Sequence, residues 1–478
     1  MMGSMTDAAY DLIVIGAGPV GENVADRAVQ GGLSVLIVER ELVGGECSYW
    51  ACMPSKALLR SGSALRAAQR VAGAADPEAR IDAAAVLRRR SSFTSGWEDT
   101  GQVEWLQSAG IDLARGHARL AGERVVEITG EDGAVRRIEA RHAVAVATGT
   151  TAAIPPIEGV AETDPWTSRE ATSVTDVPRS LIVIGGGVVG VEMATAYSDL
   201  GATVTLLSRG GLLSGQEPFA GELVGEALSE RGVDVRTGAR IASSVREDDG
   251  SVAIDLEDGT VLRAEHLLVA TGREPATADL GLSSVGLEDG AWLETDETLR
   301  VRGHDWLYAV GDVNHRALLT HQGKYQARAA GDVIVARATG AHVDAGAWGV
   351  HAATADVAAV PQVTFTDPEV ASIGRTAASA EEAGLRTRVV DYDLGSIAGA
   401  SLHADGYAGK ARIVVDEDRG VIVGATFVGQ DVAELLHSAT IAVVGEVPLS
   451  RLWHAVPSYP TISEVWLRLL ETYGRPTA

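Results

Sequence analysis

Residues 10–15, Tyr-Asp-Leu-Ile-Val-Ile, are an apolar, β-branched run bounded by glycine, which predicts a buried strand. Gly16-Ala17-Gly18-Pro19-Val20-Gly21 follows at once, then an alanine-rich stretch with helical character, then a second apolar strand over 34–38 that ends at Glu39. Strand, glycine turn, helix and strand form the frame of a dinucleotide site. The glycines let the backbone approach a pyrophosphate at a helix N-terminus, and the acid accepts hydrogen bonds from the ribose hydroxyls. Gly16, Gly18, Gly21 and Glu39 are the residues this pattern nominates.

The same frame recurs. A strand over 181–184 leads into Gly185-Gly186-Gly187-Val188-Val189-Gly190, a helix, and a strand over 203–207. Two copies imply two dinucleotides, most simply FAD and a nicotinamide, the second held by Gly185, Gly187 and Gly190. Aligning the copies on each other is informative: Glu39 stands 23 residues after Gly16, and the residue 23 after Gly185 is Ser208, followed by Arg209. An acid repels a 2′-phosphate, whereas a hydroxyl beside a guanidinium binds it, so the second site is expected to prefer NADPH over NADH.

Composition narrows the rest. With 478 residues, 46% hydrophobic and 22% charged, the chain is long enough for two to four folded domains. A formal net charge of -25 opposes binding to nucleic acid or anionic lipid. No apolar run approaches a membrane span, and residues 1–7 carry neither a basic run nor an apolar stretch, so a cytoplasmic protein is expected. Residues 61–90 are rich in Ala and Arg and predict helix.

Only two cysteines occur, Cys47 and Cys52, in the stretch Gly44-Gly45-Glu46-Cys47-Ser48-Tyr49-Trp50-Ala51-Cys52-Met53-Pro54-Ser55-Lys56. In a regular helix five residues rise about 7.5 Å, too far for a disulfide, so a bridge requires a distorted helix start, which the paired glycines would supply. Zinc and two unrelated buried thiols are the competing readings. Two thiolates without a second pair do not make a four-ligand zinc site.

Gly45-x-Cys47-x4-Cys52-x-Pro54-Ser55-Lys56 resembles the redox motif of the pyridine nucleotide-disulfide oxidoreductases, which include glutathione reductase, lipoamide dehydrogenase and mercuric reductase. Further matches are Ala147-Thr148-Gly149, Ala270-Thr271-Gly272-Arg273, Tyr308-Ala309-Val310-Gly311-Asp312-Val313 and Val363-Thr364-Phe365-Thr366-Asp367-Pro368-Glu369. The resemblance implies an α/β fold: two Rossmann-like dinucleotide-binding domains plus a C-terminal α/β dimerisation domain. FAD binding would use residues 1–155 and 276–345, NAD(P)H residues 156–275, and the interface residues 346–478. It implies a homodimer in which hydride passes from the nicotinamide to FAD and electrons then reach a Cys47–Cys52 disulfide. Cys52 would lie against the flavin, Cys47 would attack the acceptor, and Lys56 would pair with Glu192. Gly45, Thr148, Gly149, Asp312 and Gly272 would line the cofactors, with Thr320 and His321 opening a helix aimed at the flavin.

One departure bears on the acceptor. Where reductases of small disulfides carry His-Pro-Thr-x-x-Glu, this chain reads Tyr459-Pro460-Thr461-Ile462-Ser463-Glu464. Tyr459 and Glu464 are thus the catalytic candidates here; a phenol can donate a proton but is a poor base at neutral pH, so glutathione-type turnover is expected to be impaired, and His454, five residues upstream, is the substitute to consider. Tyr459, Val188-Val189 and Ser208-Arg209 are similar to mercuric reductase, but that enzyme's C-terminal cysteines are missing. With Tyr49 and Trp50 between the cysteines, and Trp453 and Tyr459 adding aromatic surface from the other subunit of the dimer, the expected small-molecule acceptor is an aromatic or apolar disulfide or a quinone. The alternatives are an oxidase or quinone reductase working directly from the flavin, a metal reductase, and a flavoprotein component of a larger complex.

Overall fold

The structure, a computed structural model, describes residues 9–76 and 78–475; the N-terminal stretch read above for a leader lies outside them. The fold is mixed α/β and divides into two compact units, one of residues 1–53, 91–151 and 273–356, the other of residues 54–90, 152–272 and 357–478.

The first unit is built on a seven-stranded sheet. Strands Val35–Glu39, Tyr10–Ile15, Val135–Val146 and Leu307–Ala309 run parallel at its centre. Tyr10–Ile15 is apolar throughout because both of its faces are covered: Leu12 and Val14 join one buried cluster, Ile13 and Ile15 the cluster on the opposite face. Helices Pro19–Gln30 and Thr320–Thr339 pack on one side. They approach closely because Gly323 faces Val20, where an added Cβ would lie 2.5 Å from a valine methyl.

The second unit repeats the glycine-loop frame on a four-stranded parallel sheet ordered Asp234–Thr237, Thr203–Ser208, Ser180–Ile184, His266–Val269. It also contains a five-stranded antiparallel sheet, Pro361–Thr364, Glu369–Gly374, Val421–Gly429, Lys410–Asp416 and Thr387–Asp393. Within it an ionic network centres on Asp367: Arg66 and Arg70 bond its carboxylate at 2.5 and 2.9 Å, Arg66 also pairs with Asp199, and Arg231 approaches to 3.4 Å. The three guanidiniums and neighbouring hydrogen bonds hold the Asp367 carboxyl below its usual range despite burial, which acts the other way.

The helix expected over 61–90 is interrupted. Helix Cys52–Gln69 ends, and helix Ala83–Phe93 begins after a turn region. Gly73, at φ +85°, lies in the break and does not suit a helix interior. Among the described residues no helix is long and apolar enough to cross a membrane.

Candidate active site

The redox stretch folds as the glycines require. Gly44 and Gly45 take φ of +110° and +58°, a five-residue helix Gly45–Tyr49 follows, the backbone breaks at Trp50, and a new helix starts at Cys52. The break brings the Cα atoms of Cys47 and Cys52 to 4.7 Å, and their sulfurs are bonded. This excludes the zinc and unrelated-thiol readings for the oxidised chain. Cys52 is the first residue of an 18-residue helix, and its Sγ lies 3.3 Å from Oγ1 of Thr320, the first residue of helix Thr320–Thr339. Two helix N-termini and a hydroxyl thus surround one sulfur, an environment that favours a thiolate.

The first glycine loop stands directly beside this stretch. Gly44 N–H donates to Ala17 O at 2.7 Å, and a Cβ on Gly45 would sit 2.8 Å from Gly18 Cα. Gly16 has φ +100°, and a Cβ at Gly21 would overlap the Gly16 carbonyl oxygen, so the loop closes only with glycine at both positions. Glu39 accepts from Ala17 N–H and Glu41 N–H, each at 2.8 Å. The Thr148 hydroxyl is buried with no protein partner among the described residues. Asp312 is half-buried, with its carboxyl raised by desolvation and drawn back by Arg273 and a hydrogen bond from Thr150. Glycine cradle, ribose-side acid, orphaned hydroxyl and half-buried acid all fit FAD. His321 is exposed on the second residue of its helix.

In the second unit the second glycine loop repeats the geometry. Gly185 has φ +124°, and a Cβ on Gly190 would overlap the Gly185 carbonyl oxygen, whereas one on Gly187 would meet nothing. Ser208 is buried at the strand end, packed against Gly186, and Arg209 is exposed. Gly272 ends the 152–272 segment of this unit with φ +143°. The cradle fits a pyridine nucleotide. Lys56 Nζ donates to Glu192 Oε2 at 2.7 Å, and Glu192 Oε1 accepts from Phe365 N–H at 2.9 Å. A carboxylate only 3% exposed is thereby held between an ammonium and an amide.

The structure turns one of the nominated aromatic residues, Tyr49, away from the surface. Tyr49 is 1% exposed and donates its hydroxyl to Val43 O at 3.1 Å, because the short helix turns that residue inward. Trp453 packs against the core that covers the antiparallel sheet. Tyr459, by contrast, is 77% exposed. Glu464 is buried and directs Oε1 to the amides of Thr461 and Gly399, at 3.2 and 3.3 Å, so its carboxylate anchors this segment to helix Ala398–His403.

Sequence patterns did not single out Glu22. It lies in the first turn of helix Pro19–Gln30, and burial pushes its carboxyl up to about 7, with Lys324 opposing and Glu39 adding to the shift. Its Oε1 is buried without a hydrogen-bond partner among the described residues. A lone acid on a helix gives no periodic signal, so only packing reveals it. Because the folded form binds the proton more tightly than the unfolded chain, this group's contribution to stability falls as pH rises from about 4.5 to about 7. The Glu22→Gln apoprotein is therefore expected to be more stable than the parent above pH 7, by about 3 kcal/mol at most, with the difference vanishing below pH 4. Thermal melts across that range measure it; a constant offset at all pH values would rule out titration as the cause.

The profile of the pyridine nucleotide-disulphide oxidoreductases matches residues 10–340, and that of their dimerisation domain matches residues 360–469. A dihydrolipoyl dehydrogenase of Haloferax volcanii is 34% identical, with 96% of this chain aligned to 95% of that protein. A mercuric reductase of Streptomyces lividans is 31% identical over 98% of this chain and 97% of its own. Among solved structures, the HOCl-induced flavoprotein disulfide reductase RclA of Escherichia coli superposes with a TM-score of 0.82 at 23% identity, covering 97% of this chain and 99% of that one.

Proposed function

The chain belongs to the pyridine nucleotide-disulphide oxidoreductase family, and from that premise we propose that it is a homodimeric NADPH-dependent reductase whose Cys47–Cys52 disulfide passes electrons to a small-molecule acceptor. The observation that carries this reading is the bonded cysteine pair at the junction of two helix starts, with the Cys52 sulfur 3.3 Å from the Thr320 hydroxyl.

We assign FAD to residues 1–155 and 276–345, the nicotinamide to 156–275 and the subunit interface to 346–478, in a cytoplasmic enzyme. Gly16, Gly18, Gly21, Glu39, Gly45, Thr148, Gly149 and Asp312 would hold FAD, and Gly185, Gly187, Gly190, Ser208, Arg209 and Gly272 the coenzyme. FAD, when bound, supplies the means of turning a two-electron hydride donor into a reductant of a disulfide. This chain's residues do the rest. Lys56 and Glu192 fix each other's position, and the Thr320 hydroxyl stabilises the Cys52 thiolate. The Cys47 thiolate attacks the acceptor disulfide and expels one thiolate. Cys52 then attacks the Cys47 sulfur, reforms the bridge and expels the second.

Acceptor chemistry follows from the segment 459–464. A tyrosine stands where a base would be needed, and the Glu464 carboxylate is engaged by two amides, which favours acceptors whose products leave without prior protonation, such as aromatic disulfides. The full sequence contains only the two redox cysteines, so it lacks a second thiol pair to deliver a metal ion. NADPH preference rests on Ser208 and Arg209 in place of an acid.

Anaerobic titration tests the reading. One equivalent of NADPH per subunit is expected to convert the disulfide into two alkylatable thiols, with kcat/KM favouring NADPH over NADH. Flavin bleaching without new thiols would move the assignment to an oxidase or quinone reductase. A preference for NADH would remove the role given to Arg209.

A further inference from the structure

Next to Cys47 the chain places a negative charge, Glu46, and the structure shows what balances it. Arg273 is the first residue of the FAD-side unit after the chain returns from the nucleotide-binding unit. Its guanidinium pairs with the Glu46 carboxylate, donates through Nη2 to Thr150 O at 2.7 Å and through Nε to Thr150 Oγ1. The Thr150 hydroxyl in turn donates to Asp312 Oδ2 at 3.1 Å. One cation therefore lies between two carboxylates. Asp312 belongs to the flavin side, and Glu46 lies in the short helix Gly45–Tyr49 that carries Cys47. These side chains are only partly exposed, 23% for Arg273 and 28% for Glu46, so solvent screens the pair incompletely.

A thiol ionises less readily beside an uncompensated anion and more readily beside a cation. Other charged groups on the elements of this unit are the Asp99–Arg115 pair, whose Asp99 accepts from Val43 N–H, and His321 at the start of helix Thr320–Thr339. Arg273 is the cation whose ion pair with Glu46 the structure shows.

We propose that Arg273 is a positioning residue for thiol–disulfide interchange: by bridging Glu46 to Thr150 and Asp312, it neutralises the carboxylate beside Cys47 and keeps that thiol reactive at neutral pH. The inference rests on the reading of Cys47 as the interchange thiol. It forms and breaks no bond of its own; it sets the fraction of Cys47 present as thiolate when the acceptor arrives.

The test uses holoenzyme reduced with a phosphine, freed of excess reductant and treated with iodoacetamide across a pH series, with Cys47 and Cys52 resolved by peptide mass spectrometry. Arg273→Met is expected to raise the pH midpoint of Cys47 alkylation by about one unit, the size of one nearby uncompensated charge. Glu46→Gln alone is expected to lower it, and Glu46→Gln combined with Arg273→Met to return it close to the parent value. Arg273→Lys, which keeps the charge, should leave it nearly unmoved. A purely structural role would shift both single variants in the same direction and leave the double variant shifted, which overturns the proposal. Should Arg273→Met fail to fold, the downward shift in Glu46→Gln, or its absence, decides the matter. The reading of Cys47 is separable: if NADPH yields no alkylatable thiols in the parent enzyme, that reading fails, whereas thiols that appear but titrate alike in every variant defeat only the role of Arg273.

Discussion

Cys47→Ser holoenzyme is expected to be reduced by NADPH and yet to turn over disulfide acceptors at least about 10³-fold more slowly than the parent. The nucleophile is the one group in the interchange that has no substitute: a serine hydroxyl is hardly ionised at neutral pH and cannot form the mixed disulfide through which exchange proceeds. Nothing in either dinucleotide cradle is altered by the change, since the first loop is closed by Gly16, Gly21 and Gly45 and the second by Gly185 and Gly190. Stopped-flow measurement of flavin bleaching, set against steady-state acceptor reduction, separates the two half-reactions. If acceptor reduction survives in the variant, electrons leave by a route that bypasses the bridge, and the family's disulfide chemistry is not what this chain uses. Loss of both half-reactions would instead point to a folding defect, which flavin content and a thermal melt would reveal.

Gly190→Ala should cost NADPH binding as heavily, through geometry rather than chemistry. The added methyl would overlap the Gly185 carbonyl oxygen, so the loop must open and its amides can no longer converge on a pyrophosphate. Overpacking of this kind costs about 1–3 kcal/mol in a rigid site, and with the lost phosphate contacts a rise in KM for NADPH of about 100-fold is expected, together with a lower melting temperature. FAD content should be unchanged, because the first cradle belongs to the other unit. Gly187→Ala supplies the contrast. A Cβ there meets no protein atom, so the melting temperature should hold while KM rises, reporting the ligand's own approach to the backbone. Equal KM in both variants and parent would mean that the second glycine loop does not bind the coenzyme.

The parts of this site that were legible in the sequence are the parts specified locally. An apolar strand running into Gly16 or Gly185 needs positive φ within the next residue, and that demand is written in the residue type itself. The cysteine spacing similarly forced a broken helix, which the structure realises at Trp50. Long-range partners left no such trace. Glu46 and Arg273 are 227 positions apart, and nothing near either residue announces the other. Tyr49 illustrates a different limit: an aromatic between two reactive cysteines reads as a pocket wall, but the orientation of a five-residue helix decides which side chain faces inward, and here it buries the tyrosine. The interruption of the helix over 61–90 was readable from Gly73, yet alanine content outweighed it in the pattern.

Glu192 carries an implication for how the polypeptide is made. Its two partners lie 136 positions earlier and 173 positions later, at Lys56 and Phe365. A nascent chain that has finished both glycine loops still lacks the amide that completes this buried carboxylate, and Asp367, on which Arg66, Arg70 and Arg231 converge, arrives two residues after Phe365. Completion of this buried contact must therefore wait for the beginning of the C-terminal quarter of the chain. A gene fragment cut before that point would encode both nucleotide motifs without being a free-standing module.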